Sequence, residues 1–451
     1  MSKPEARVTY KELIYFFLPL AVTPLIIGVV HNIANGAIAR LPEPEISLAV
    51  YAVVKGFSYI IRAPILVSRQ AVISLVDSEV SCNRVLKMLW VIACVTTFIL
   101  LLLGYTPLGG VVLRNVIGLK NEQQVTYGYY ALRIICFLPI VETLRNNNQG
   151  LAIALKKTGM ILPGVLARLI SVILFLGWVV FSKSLSGIVA ASIAWVGGIG
   201  LEGFIICSGI RKVYGFPVKA ARKIPGNKKN KDITFFTFVK FILPLAVMMA
   251  LARVVEPLIQ AGIARGNSPT RSLAAFGVAW AILFLVAGPL MHINQGALVY
   301  IKKIGDKNWD RVLRFSHLFG LLTALIIAVI AFTPGGFLLI NKVLAVSDSI
   351  SSLTQHILKV FVFYPLIASF KEVYWGILMN QKKTHVIGIA KTVNIAMVVL
   401  FLVIGIKILS FDAAIIGALA FVLGEAFESW YVRYFSLNDG ELVVDVKSKQ
   451  P

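Results

Sequence analysis

Lys55, Arg62 and Arg69 stand seven residues apart in an otherwise apolar stretch. On a continuous α-helix that spacing returns each side chain to nearly the same face, with a drift of about 20° per heptad and about 10 Å between rungs. A ladder of this kind can hold the negative groups of a small anion. Each charge costs about 2.5 to 3.5 kcal/mol to place in a bilayer unless a cavity or partner receives it. Pairing with helix-buried carboxylates, or snorkelling to the interface, is the competing structural explanation. Arg145, Asn146 and Gln149 lie in the polar run Glu142 to Gln149 and extend the set of candidate substrate contacts. His31, Arg253 and Glu256 are candidates for a gate or coupling site. Histidine titrates near neutral pH, and a carboxylate can couple its charge state to conformation when burial or an arginine acts on it. Arg253 and Glu256, at i and i+3, can also simply pair within one helix.

These residues need membrane helices to position them. Of 451 residues, 58% are hydrophobic and 14% charged, far from the soluble-domain mix of roughly half apolar and a quarter charged. Apolar runs of the roughly 20 residues that cross a bilayer recur at about 13–35, 48–76, 85–104, 127–153, 159–181, 185–209, 238–262, 273–301, 312–332, 354–380, 386–406 and 412–432. The pattern predicts an all-α polytopic membrane protein with twelve transmembrane helices. The first run is too long for a cleavable leader and lacks a small-residue cleavage site, so it reads as a retained helix. An even number of spans puts both termini on one side. With that side cytoplasmic, the cytoplasmic segments carry most of the loop lysines and arginines, as the positive-inside rule requires. The expected location is the cell's plasma or inner membrane, with the lipid bilayer as partner.

The net charge of +23 does not point to nucleic acid, because the basic residues sit beside helix ends and the densest run, Lys219 to Lys231, joins two apolar halves. Cys82, Cys94, Cys136 and Cys207 lack metal-ligand spacing and read as small core residues. The chain has no GxxxxGK[ST] loop and no HExxH, GxSxG or CxxC motif, so neither a nucleotide-driven motor nor an enzyme is expected, and no cofactor or metal. Energy would come from a substrate, proton or sodium gradient. Within the spans basic side chains outnumber acidic ones, chiefly Glu142, Glu202, Glu256, Glu372, Glu425 and Glu428, which favours an anionic substrate.

The chain repeats itself. Phe17-Leu18-Pro19-Leu20-Ala21-Val22 recurs as Ile242-Leu243-Pro244-Leu245-Ala246-Val247, and at the same offset Ile38-Ala39-Arg40, Pro64 and Gln70 fall on Ile263-Ala264-Arg265, Pro289 and Gln295. Further on, Arg84-Val85-Leu86, Thr106-Pro107, Pro139, Gly150, Lys156-Lys157-Thr158 and Glu202 match Arg311-Val312-Leu313, Thr333-Pro334, Pro365, Gly376, Lys382-Lys383-Thr384 and Glu428. Two parallel six-helix repeats follow, expected as bundles over 1–210 and 233–435, a cytoplasmic linker over 211–232 and a cytoplasmic tail over 436–451. Transporters with such repeats bind substrate between the halves and rock them about it. The ladder positions are not repeated: their equivalents are Trp280, Ala287 and Asn294.

Phe17-Leu18-Pro19-Leu20-Ala21, Leu48-Ala49-Val50-Tyr51 leading to Pro64, Arg253-Val254-Val255-Glu256-Pro257 followed by Ala264-Arg265, and Gly376 with Lys382-Lys383-Thr384 together resemble the progressive ankylosis (ANK) family. The resemblance runs over nearly the whole chain. It implies membership of the wider superfamily of multidrug and toxin extrusion (MATE) transporters and polysaccharide or lipid-linked sugar flippases, the MOP superfamily. The implied architecture is two six-helix bundles in a V around a central cavity. It also implies export of pyrophosphate, nucleoside triphosphate or citrate. Arg69 falls where that family is expected to carry a basic residue, whereas Lys55 and Arg62 depart from it. His31 stands where MATE exporters often use an aspartate. The expectation is an alternating-access exporter of a small polyanion through a central cationic cavity. A proton- or sodium-coupled multidrug antiporter taking an amphiphilic substrate, a flippase for lipid-linked pyrophosphate sugars and a non-transporting membrane scaffold remain as alternatives, with oligomeric state open.

Overall fold

A computed structural model describes residues 7–119, 121–224, 233–266, 268–302, 304–343 and 346–445. The described residues form helices and connecting turns, among them twelve long and apolar enough to cross a membrane. These are α1 (Tyr10–Ile38), α2 (Pro44–Ile61), α3 (Glu79–Tyr105), α4 (Glu122–Ala154), α5 (Thr158–Ser182), α6 (Gly187–Tyr214), α7 (Phe235–Ile263), α8 (Pro269–Tyr300), α9 (Trp309–Phe332), α10 (Asp348–Asn380), α11 (Thr384–Ile408) and α12 (Ala413–Leu437). Each sequence run falls on one of them. The chain is an integral membrane protein.

Repeat positions share backbone geometry. Glu43 and Ser268, before α2 and α8, both take the left-handed conformation, with φ of 52° and 54°. So do Lys156 and Lys382, at 58° and 61°, where a non-glycine residue persists only if its surroundings hold it. Arg40 Nη1 donates to the Gly36 carbonyl (2.7 Å) and Arg265 Nη1 to that of Ala261 (2.5 Å), each capping the end of its helix.

The structure places the domain division elsewhere than the expected linker. One compact unit comprises Val22–Ala250; the other joins the chain up to Ala21 to everything from Leu251 onward. The break thus falls inside α1 and α7. Aromatic packing and hydrogen bonding explain it. Phe17 stacks edge-on against Phe315 and Phe319 at 5.6 and 5.0 Å, and Phe16 against Tyr300 at 5.2 Å. Val8 donates its N–H to Asn308 (2.9 Å) and receives Arg311 on its carbonyl (2.7 Å). In the other unit the repeat-equivalent Arg84 donates to the Ile233 carbonyl at 3.4 Å. The described part of the 211–232 linker packs on α3 through the short helix Pro217–Ala220 and an Arg222–Glu79 ion pair of 2.8 Å; residues 225–232 lie outside the described set. The last helix runs on to Asp445, into the expected tail, of which 446–451 are likewise outside it.

Several spans are interrupted, two of them at candidate site residues. After α2 the backbone leaves helical geometry at Arg62 (φ −87°, ψ 5°) and again at Val67, with the short helices Ala63–Leu66 and Ser68–Leu75 following. Pro64 has no N–H to donate and its ring crowds the preceding turn. The continuous heptad face expected for Lys55, Arg62 and Arg69 is therefore broken between the rungs. In α7 the helix stops at Ala252 and restarts at Val255. Pro257 would clash with the carbonyl four residues back, that of Arg253.

Candidate functional site

Within the Val22–Ala250 unit, four arginines meet two carboxylates. Arg62 is fully buried and ion-paired with Glu142 from α4. It also donates to Ser58 Oγ at 3.2 Å and lies over the Tyr59 and Trp195 rings at 4.9 and 5.0 Å. Glu202 on α6 receives Arg168 Nη1 at 3.2 Å and Gln149 Nε2 at 2.7 Å, and stands 3.9 Å from Arg145 Nη1. Arg69 donates to Gln149 Oε1 at 3.1 Å, so the Gln149 amide links Arg69 to Glu202. Arg145 donates twice to Asn146 Oδ1 (3.1 and 2.9 Å). The broken second span is held by the same group: Asn146 Nδ2 donates to the Ile65 carbonyl at 2.8 Å, which also accepts from Ser68 Oγ at 2.7 Å.

The sequence candidates thus separate. Arg69, Arg145, Asn146 and Gln149 come together in one network around Glu202. Arg62, expected to touch substrate, is instead matched by Glu142 in this structure, because its position at the break points it into the bundle. Lys55 lies higher on α2, with Nζ 3.3 Å from His31 Nδ1 and 5.7 and 5.8 Å from the Tyr51 and Trp195 rings. A proposed contact and a proposed coupling residue are therefore neighbours.

In the other unit, Glu256 accepts from Gln260 Nε2 at 3.1 Å and from the Trp280 side chain, while Arg253 acts on it through charge. Arg253 stands on the break, between the end of one helical segment at Ala252 and the start of the next at Val255. Trp280 belongs to an aromatic cluster centred on Phe421, with ring centroids at 4.8 Å to Trp280, 5.9 Å to Phe361 and 5.2 Å to Tyr364. Phe421 is the repeat equivalent of Trp195, and Trp280 that of Lys55. At the position of Lys55, beside the hub in one unit, the other unit therefore carries an aromatic ring.

The sequence profile of the family described as progressive ankylosis protein (ANKH) matches residues 1–267 and 227–432. The chain belongs to the progressive ankylosis protein family. Its fold is that of the MATE transporters of the MOP superfamily. A MATE structure in the straight conformation superposes with a TM-score of 0.74 at 14% identity, covering 98% of this chain and 97% of that one. A MOP superfamily transporter from Pyrococcus furiosus, for which a reversed polarity of the binding pocket has been described, gives 0.70 at 14% identity, with 99% and 100% covered. A variant of the Vibrio cholerae MATE transporter VcmN gives 0.70 at 16%, with 94% and 95% covered.

In this progressive ankylosis family member, sequence reasoning missed Arg168 and Trp195. Arg168 was one basic residue among several in the spans, with Asn394 as its repeat equivalent. Its role appears only when α5 packs beside α6 and sets it on Glu202. Trp195 was detectable only as an aromatic on α6 at the equivalent of Phe421. Of the four cysteines expected in the core, Cys82, Cys136 and Cys207 are buried, whereas Cys94 is exposed.

Proposed function

We propose that this protein is an alternating-access transporter that moves a small polyanion such as pyrophosphate, citrate or a nucleotide, with Arg69 and Arg145 as its principal contacts. The observation that carries this reading is the charge imbalance of the first unit: among the described residues Arg62, Arg69, Arg145 and Arg168 gather around two carboxylates, Glu142 and Glu202. Arg62 Nε and Arg168 Nε are buried with no acceptor among the described residues. Unmatched guanidinium donors in a low-dielectric bundle favour a multiply charged oxyanion, which can take several charge-assisted bonds at once. Arg62 serves the site from behind, fixing the break in the second span. Asn146 and Gln149 orient Arg145 and Arg69. Transport would draw on a proton or sodium gradient.

The test is flux in proteoliposomes of labelled pyrophosphate and citrate beside a cationic dye. Saturable anion flux without dye flux supports the reading; dye flux alone overturns it. The aromatic cluster around Phe421 with Glu256 favours the second reading, a proton- or sodium-coupled multidrug antiporter, because aromatic faces and a carboxylate suit an organic cation.

A further inference from the structure

The second unit carries the opposite imbalance. Lys371 is ion-paired with Glu425 and stands 3.8 Å from Glu428. Lys391 lies 3.1 Å from Glu425 and 2.9 Å from Glu428. Asn394 Nδ2 adds a hydrogen bond to Glu425 at 3.1 Å. The two lysines offset these two carboxylates. A third, Glu372, is 3% exposed, and its hydrogen bond comes from a neutral amide, Asn294 Nδ2, at 2.6 Å. The charges acting on Glu372 are those of Lys371, Glu425 and Glu428, with Lys391 joined to them through the two glutamates and the Tyr364 phenol beside them. With every carboxylate and lysine ionised, the cluster holds one uncompensated negative charge, which a buried site does not tolerate without a counter-charge.

A second observation bears on the same place. Asn294 Oδ1 and Glu428 Oε1 are buried and have no hydrogen-bond donor among the described residues. An amide carries a donor and an acceptor on one fork. With Glu372 ionised, Asn294 presents Nδ2 to it. With Glu372 protonated, a half-turn of the amide brings the unpartnered Oδ1 to the new O–H and gives up the bond that Nδ2 also donates to the Met291 carbonyl at 3.0 Å. The repeat sharpens the point: the equivalents of Asn294 and Glu372 are Arg69 and Asn146. One unit places Arg and Asn at these two positions, the other Asn and Glu.

We infer that Glu372 is a proton-binding site, served by the Asn294 amide in both protonation states, and that loading and unloading it couples transport to a proton gradient. The chemistry is addition of one proton to one carboxylate, which brings the cluster to neutrality; no bond to substrate is made. The coupling role rests on the transporter reading above, whereas the protonation does not. It is therefore tested first without substrate, by pH-difference infrared spectroscopy on the full chain in lipid, native beside E372Q, in potassium and in sodium buffers. The expected result is a titrating band of a buried carboxylic acid, present in both salts and lost in E372Q. A band that persists unchanged in E372Q overturns the assignment. A band abolished by sodium at constant pH overturns the proton in favour of an alkali cation. Should E372Q fail to fold, Asn294→Leu keeps Glu372 but removes its amide, and must shift the band's frequency; an unshifted band is also contrary. In proteoliposomes E372Q keeps anion exchange at equal pH on both sides and loses its response to a pH gradient; a retained response overturns the coupling role. A native chain that shows the band but carries no anion refutes the transporter reading and leaves the proton site standing.

Discussion

Removing the carboxylate from the Arg62–Glu142 pair isolates how the buried ladder is held. In Glu142→Gln the guanidinium of Arg62, 0% exposed, loses the carboxylate it is paired with. Breaking such a buried pair costs about 3 to 5 kcal/mol, because it leaves an uncompensated charge. The Tyr59 and Trp195 faces at 4.9 and 5.0 Å remain and can return up to about 2 kcal/mol when desolvated. The net expectation is a loss of about 2 to 4 kcal/mol, read by denaturant or thermal unfolding in lipid nanodiscs. Arg62→Met combined with Glu142→Leu removes both charges at similar volume, and such replacements are often neutral or stabilising. The double variant should therefore be more stable than Glu142→Gln alone. The reasoning fails if Glu142→Gln changes stability by less than about 0.5 kcal/mol, the range of an ordinary surface substitution, or if the two losses simply add.

Four further outcomes follow from the geometry. Gly150→Ala would set a Cβ 2.8 Å from Val72 Cβ and 3.1 Å from the Arg69 carbonyl, and Gly376→Ala one 2.5 Å from Ala297 Cβ and 2.7 Å from the Asn294 carbonyl; each should lower stability by about 1 to 3 kcal/mol, as overpacking does. Gly28→Ala, with nothing within 4 Å of its added Cβ, should instead be neutral or stabilising by up to about 1 kcal/mol in the same melt. Asn146→Asp puts a carboxylate against Arg145 and replaces the Nδ2 donor to the Ile65 carbonyl with an oxygen, so both the anion flux and the melt should fall; unchanged flux contradicts a role for Arg145 in anion binding. Trp195→Ala removes the face shared by Lys55 and Arg62 and should lower stability by about 3 to 5 kcal/mol, the range for truncating a buried aromatic.

Hydropathy and the internal repeat made most of the fold legible, since a membrane span needs only length and apolarity and a repeat shows itself as identity at a fixed offset. The interruptions were less legible. Pro64 and Pro257 marked them, but the group that holds the broken second span, Asn146 Nδ2 donating to the Ile65 carbonyl, is distant in sequence. The unit division inside α1 and α7 was hidden because it depends on Phe16 and Phe17 meeting rings some 300 residues away. At the candidate site, the spacing of Lys55, Arg62 and Arg69 drew attention to the second span. It could not show that Glu142 takes up Arg62, nor that Arg168 shares Glu202 with Arg145. Those pairings are fixed by helix packing. The Lys391, Glu425 and Glu428 cluster was visible as charges in spans, and only the packing of α10, α11 and α12 shows that two lysines leave one carboxylate over.

The most direct measurement is polyanion flux in proteoliposomes for the native chain beside Arg69→Gln with Arg145→Gln, with the thermal melt recorded on the same preparations. A polyanion transporter that uses these two arginines loses most pyrophosphate or citrate flux in the double variant while its melt stays close to native. Undiminished flux, or a cationic dye carried equally well by both proteins, contradicts it.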